Sequence, residues 1–198
     1  MSYWQAENSA SFTLEIKKSR FIALAYPCAS REQALAFLEQ AKIDYPDARH
    51  HCWAYVVGDP NNAASMAAND DGEPSGTAGK PILNVLQHKN IGDLMLVVVR
   101  YFGGIKLGAG GLMRAYGQAA DGVVQALQLV KPIAMQEWLV NCDFAQEQYL
   151  RYWLEQQGGQ LLDIHYSEQV QAKVLLPQTV TLPDEQLAAQ AIHFRIGE

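Results

Sequence analysis

Six consecutive apolar residues, Leu94-Met95-Leu96-Val97-Val98-Val99, run into Arg100-Tyr101-Phe102-Gly103-Gly104-Ile105-Lys106-Leu107-Gly108-Ala109-Gly110-Gly111-Leu112-Met113-Arg114. The apolar run is far too short to span a membrane. It instead predicts a strand over 94–101 that is apolar on both faces and therefore central in a sheet. A long helix is expected from about Leu112 to Leu129, so a glycine-rich loop joins a buried strand to a helix. That order calls for a layered domain in which helices cover the sheet. Five of the fifteen residues from Arg100 to Arg114 are glycine. Glycine lets backbone approach a ligand and adopt positive φ, and the free N–H groups of the following helix favour an anion. Arg100, Lys106 and Arg114 supply countercharge, so Gly103, Gly104, Gly108, Gly110 and Gly111 with these cations form the first candidate anion site. The run has neither the GK[ST] ending of a P-loop nor the spacing of a dinucleotide fingerprint. The competing reading is a tight strand-to-helix packing turn.

Upstream, two extended runs between Phe12 and Tyr26 flank a polar turn at Lys17-Lys18-Ser19-Arg20. Ser30 is an N-cap with Gln33 at the capping-box position, and Ala34, Leu38 and Ala41 follow at helical spacing. Pro46 ends that helix. Residues 51–57 read as a strand, 59–79 as a long loop rich in Asp, Asn, Gly and Ser, and Pro81 to His88 as a short helix with Pro in its first turn. Pro132 breaks the pattern and marks a boundary between a first domain, 1–131, and a second, 132–198. In the second domain the expected elements are strand 135–142, helix 145–157, strands 160–166 and 169–176, a weaker helix near 184–191 and a possible last strand at Ile192–Ile196. That βαββα order suggests a ferredoxin-like domain, which makes the whole chain an α+β, two-domain protein. Tyr149, Tyr152 and Trp153 have the spacing of one apolar helix face and read as core.

Three further segments are candidates. In Asn69-Asp70-Asp71-Gly72-Glu73-Pro74-Ser75-Gly76-Thr77-Ala78-Gly79-Lys80, the carboxylates of Asp70, Asp71 and Glu73 could hold Mg²⁺ beside a phosphate, with Thr77 and Lys80 at a helix start. The alternative is an ordered turn whose side chains cap backbone, with no metal. In Asp47-Ala48-Arg49-His50-His51-Cys52-Trp53-Ala54-Tyr55, strand alternation puts His51, Trp53 and Tyr55 on one face and Cys52 and Ala54 on the other. Adjacent histidines then point apart, which argues against a shared metal, and a thiol in a strand core is inert. Arg49 and His50 remain polar members of a surface site, while Trp53 and Tyr55 read as core. The Lys17, Lys18 and Arg20 cluster suits phosphate contacts if it lies beside the glycine-rich loop.

The net charge of −6 is unevenly placed. Residues 1–131 carry twelve Lys/Arg and twelve Asp/Glu, whereas 132–198 carry Arg151, Lys173 and Arg195 against nine carboxylates. A polyanion should therefore meet the first domain. Three scattered cysteines without a CxxC pair fit reduced thiols in a cytoplasmic protein with no membrane association.

Four segments in order, KKSRF at 17–21, ARHHCWAY at 48–55, DDGEPSGTAGKPIL at 70–83 and VVVRYFGGIKLGAGGLMRAYG at 97–117, resemble the IMPACT/YigZ family. The resemblance implies a first domain of the ribosomal-protein/elongation-factor-G domain IV type, with a left-handed βαβ crossover. It also implies a ferredoxin-like second domain similar to domain V of the same factor. It makes the first domain one that touches nucleic acid or the ribosome. Eukaryotic relatives regulate translation through an added N-terminal protein-binding domain, which is not expected here, so their regulatory role is not carried over.

The expected function is an RNA- or ribosome-binding protein linked to translation, without cofactor or metal. Two alternatives stand beside it: an enzyme or binder acting on a phosphorylated small molecule through the glycine-rich loop, and a protein-interaction module using the second domain. With no nucleophile, general base or nucleotide motif in evidence, the chain reads as a binder more than an enzyme.

Overall fold

The protein's structure is a computed structural model that describes residues 3–181 and 192–196. The chain divides into two compact units, Met1–Pro132 and Ile133–Glu198. No helix among the described residues is long and apolar enough to cross a membrane.

The apolar run forms β6 (Leu94–Tyr101), seven of whose eight residues are buried. β6 is the middle strand of a five-stranded sheet of order β2-β3-β6-β4-β5, with β2 at Ala10–Ile16, β3 at Ser19–Pro27, β4 at His50–Val57 and β5 at Ser65–Asn69. Every pairing is antiparallel. Period-two alternation sorts β6 between two cores. Leu94, Leu96 and Val98 pack with α2 (Gly79–His88) and α3 (Ala109–Gln125), while Met95, Val97 and Val99 meet α1 (Arg31–Asp44) on the opposite face. Each such fully buried side chain contributes about 1.5–3 kcal/mol, so a polar residue at Val98 would disrupt the α2–α3 layer.

α1 begins where the sequence places it. Ser30 Oγ accepts from Gln33 N at 3.3 Å, and Gln33 Oε1 accepts from Ala29 N at 2.8 Å. α1 joins β3 to β4, and because both strands pair antiparallel with β6 they run in the same direction on either side of it. A two-stranded ribbon of β1 (Gln5–Ala6) and β7 (Leu129–Val130) closes the unit.

Three readings of this unit need correction. The expected loop 59–79 contains the edge strand β5, which pairs with β4 from Trp53↔Asn69 to Val57↔Ser65. α3 starts at Ala109, because Gly110 and Gly111 are wound into its first turn, and it ends at Gln125, releasing Leu129–Val130 to pair with β1. α2 starts two residues before Pro81, at Gly79.

In the second unit β8 (Met135–Cys142) leads through a 3₁₀ turn, Phe144–Gln146, into α4 (Glu147–Gln156), then β9 (Gln160–Tyr166) and β10 (Val170–Pro177). The last strand exists: β11 (His193–Ile196) pairs with β8, giving the order β11-β8-β10-β9 with antiparallel neighbours throughout. That is the ferredoxin-like arrangement. The helix expected near 184–191 lies outside the described residues. α4 presents Leu150, Trp153 and Leu154 to the core, so Tyr149 and Tyr152 are not core as the spacing suggested. The leucine-containing stripe at i, i+3, i+4 is the more apolar one, and Tyr152 is left 60% exposed.

Candidate anion and nucleic-acid site

The C-terminal end of β6 is where the candidate segments of the first unit converge. Arg100 pairs across to Phe21 on β3 and His50 on β4, which brings the basic hairpin and the Arg49–His50 corner to the same end of the sheet. The β2–β3 turn consists of Lys17 and Lys18 at φ +48° and +64°. Two consecutive positive-φ residues suit the right-handed twist of a hairpin, but the position favours Asn-Gly, and a side chain there costs about 1–2 kcal/mol per residue.

Gly103 locks this turn to the glycine-rich loop. Its N–H donates to Ser19 Oγ at 3.1 Å, and a Cβ on Gly103 would overlap the backbone of Lys18. Lys17 and Lys18 therefore sit directly beside the loop, and Arg20 lies with its guanidinium carbon 4.6 Å from the Tyr101 ring centroid.

Between the loop and the β4 corner is a cleft of about 390 Å³ lined by Arg49, His50, Glu73, Pro74, Arg100, Phe102, Lys106, Leu107, Gly108, Ala109 and Leu112. Gly108 caps α3 at φ +72°, a conformation that glycine adopts without strain. No side chain caps α3 and its first turn holds no acidic residue, so the N–H groups there remain available to an anion. Arg49 and Lys106 have no ion-pair partner among the described residues.

The one carboxylate in the lining is already committed. Arg100 Nη1 donates to Glu73 Oε1 at 2.5 Å, and Tyr116 OH donates to the same oxygen at 2.8 Å. Both partners of this ion pair are almost fully buried. Cys52 Sγ donates to Tyr116 OH at 3.3 Å, and burial pushes its thiol far up, which makes it an inert core group. Burial likewise pushes the Cys28 thiol up to about 12.

The acidic loop spends its side chains on its own shape. Burial alone would raise the Asp70 carboxyl, but N–H donors from Gly76, Gly79 and Ala78 at 2.7–2.9 Å outweigh it and hold the group below its ordinary value. Asp71 accepts from His51 N at 2.6 Å, and Thr77 Oγ1 donates to Pro74 O at 2.6 Å. His50 Nδ1 lies 2.7 Å from Asp71 O. A carbonyl only accepts, so that nitrogen carries the proton and Nε2 is left for another partner. On the opposite side of β4, His51 Nε2 donates to Tyr45 O at 3.2 Å, and burial lowers its pKa despite the nearby Asp71.

Arg49, His50, Glu73, Arg100, Lys106 and Gly108 thus share one cleft, with Gly103, Gly104, Gly110 and Gly111 forming the adjoining loop and first turn. Asp70, Asp71 and Thr77 shape the loop that carries Glu73. Lys80 is exposed on α2 and Arg114 on α3, and neither lines the cleft. Sequence reasoning passed over Phe102, Leu107 and Leu112, which give the cleft an apolar wall, and Tyr116, which anchors Glu73. The only signal for Phe102 was its place immediately after the strand.

Comparisons with known proteins agree across both units. The model of the Impact N-terminal domain matches residues 17–124, and that of a domain of unknown function (DUF1949) matches 140–183. The IMPACT family member YigZ of Escherichia coli (strain K12) is 40% identical over 163 residues, covering 82% of this chain and 80% of that protein. The IMPACT family member YvyE of Bacillus subtilis (strain 168) is 37% identical over 180 residues, 91% of this chain and 82% of its own length. A crystal structure described as a hypothetical protein is 34% identical, covers 100% of this chain and 98% of its own, and superimposes with a TM-score of 0.78. With its first unit matched by the family's defining domain and its relatives covered over most of their length, the chain belongs to the IMPACT family.

Proposed function

We propose that this protein binds RNA, ribosomal RNA included, through the sugar–phosphate backbone at the β6–α3 end of its first unit. The observation that carries the reading is the seating of the Lys17–Lys18 turn against Gly103. It sets a basic hairpin against the glycine-rich loop that leads to an uncapped helix start. Arg49 and Lys106, which line the cleft at that start, have no ion-pair partner among the described residues. Strain at two lysines in a turn that favours glycine also supports a role for their charge. The charge distribution agrees: the first domain is neutral overall and the acidic second one repels polyanions. Translation is the setting implied by the family resemblance.

The phosphorylated small-molecule reading has the cleft's volume in its favour but lacks a free acidic set for Mg²⁺. Asp70 and Glu73 are taken up by backbone N–H groups and by Arg100.

RNA affinity measured between about 50 and 300 mM salt tests the proposal. Wild-type binding is expected to fall steeply as salt rises. In Arg49→Ala/Lys106→Ala the log–log slope should be shallower by roughly 1–2, the loss of two phosphate contacts. A folded wild type that binds no RNA at the lowest salt contradicts the proposal.

A further inference from the structure

We infer that the cleft seats one unstacked nucleotide of a single-stranded RNA, with its phosphate on the head of α3 and its base against Phe102. The inference rests on the RNA-binding reading and adds which form of RNA the site selects.

Size is the first argument. A cleft of about 390 Å³ lies within the range of sites that enclose a whole small molecule, and is far roomier than a lone phosphate contact needs. Its lining is also divided by chemistry. Lys106, Gly108 and Ala109 mark the polar side at the helix start, with Arg49 and His50 on the β4 side, while Phe102, Leu107 and Leu112 are apolar. A phosphate satisfies the first set and a base the last. A site for backbone alone would have no use for the apolar wall.

Arg100 supplies an independent observation. It is 6% exposed and lines the cleft, yet its Nε–H has no hydrogen-bond partner among the described residues. A buried donor left unsatisfied costs about 1–3 kcal/mol, and its Nη1 is already held by Glu73. The Nε atom has almost no accessible surface, so a phosphate oxygen or base carbonyl meets it only when the guanidinium turns toward the cleft, a move that removes that cost. Glu73 itself presents no net repulsion, because its charge is matched by Arg100 at 2.5 Å.

Phe102 completes the case. Its ring centroid lies 5.6 Å from the Arg100 guanidinium carbon, and half of the residue remains exposed. Aromatic rings and arginine guanidinium planes are the surfaces on which unstacked bases stack. A duplex keeps its bases stacked and paired, so it offers nothing to this wall and meets only the cations.

The test is fluorescence anisotropy of the full chain with a short labelled single-stranded RNA, with the same sequence as a duplex, and with AMP as competitor. The wild type should bind the single strand more tightly than the duplex. Phe102→Ala, a change at a half-exposed position, should weaken single-strand binding roughly tenfold and duplex binding far less, and Phe102→Trp should restore single-strand binding. Single-strand binding unaffected by Phe102→Ala, with the Arg49/Lys106 effect intact, overturns the nucleotide seat while RNA binding stands. AMP binding as tight as that of the strand overturns it in favour of a free nucleotide. Failure to bind either RNA overturns both readings.

Discussion

Glu73→Leu is expected to destabilise the first unit by about 3–5 kcal/mol, the usual cost of stranding one partner of a buried ion pair. Arg100 would keep its charge at 6% exposure with no counter-ion, and Tyr116 OH would lose its acceptor. The adjacent carboxylates are already engaged, Asp70 by the N–H groups of Gly76, Ala78 and Gly79 and Asp71 by His51 N, so neither is free to replace Glu73. Removing both charges behaves differently: Glu73→Leu/Arg100→Met should recover most of the lost stability, because two apolar side chains of similar size need no pairing. Urea unfolding followed by fluorescence measures this, with Trp4 and Trp53 reporting on the first unit and Trp138 and Trp153 on the second. Only the first transition should move. A loss below about 1 kcal/mol in the single variant would mean that the pair is solvated and not the buried anchor described here.

Gly103→Ala carries the other large effect. A Cβ at this position overlaps the Lys18 carbonyl group and the Ser19 nitrogen, which are backbone atoms that cannot rotate aside. The β2–β3 turn and the glycine-rich loop must separate, breaking the Gly103 N–H to Ser19 Oγ bond. Overpacking of this kind costs about 1–3 kcal/mol, and a clash with backbone lies at the upper end. It also moves Lys17 and Lys18 away from the glycine-rich loop, so RNA affinity should fall along with stability. Gly104→Ala is the informative contrast: nothing lies within 4 Å of a Cβ there, and the cost comes only from its φ of +84°. It should lower stability by about 1–2 kcal/mol and leave the Lys17–Lys18 turn in place. Thermal denaturation and RNA binding on both variants separate a clash from a backbone preference. Equal effects of the two substitutions on RNA affinity would contradict the role given to Gly103.

The parts of this molecule that were legible in the sequence are those encoded locally. A run of six apolar residues rich in valine and followed by a glycine-rich loop reads as a central strand, and β6 is one. Ser30 and Gln33 announce α1 because capping is a contact between near neighbours. β8, α4, β9 and β10 follow one another with clear periodicity, so their order already suggested the ferredoxin-like arrangement. β5 was not legible. Ser65-Met66-Ala67-Ala68-Asn69 has low strand propensity, and what makes it a strand is the open edge of β4 beside it. β1 and β7 are two residues each and exist only because they meet across most of the first unit.

The site divides in the same way. Its glycines and cations could be named from residue types. Their grouping could not, since Lys18 meets Gly103 and His50 meets Asp71 only through sheet register. The acidic loop shows the limit most clearly. Three carboxylates in four residues look like a metal site in sequence, yet Asp70 binds backbone, Asp71 binds His51 and Glu73 binds Arg100. Charge spacing alone carries no information about which partners the fold brings up. Phe102 escaped notice because a single aromatic after a strand has no periodicity to mark it.

Ultraviolet crosslinking of the full-length protein to bound RNA, followed by peptide mapping, tests the central claim most directly. The account predicts crosslinks within residues 100–114 and at the Lys17–Arg20 turn, with Phe102 among the modified positions. Crosslinks confined to residues 133–198 would contradict it.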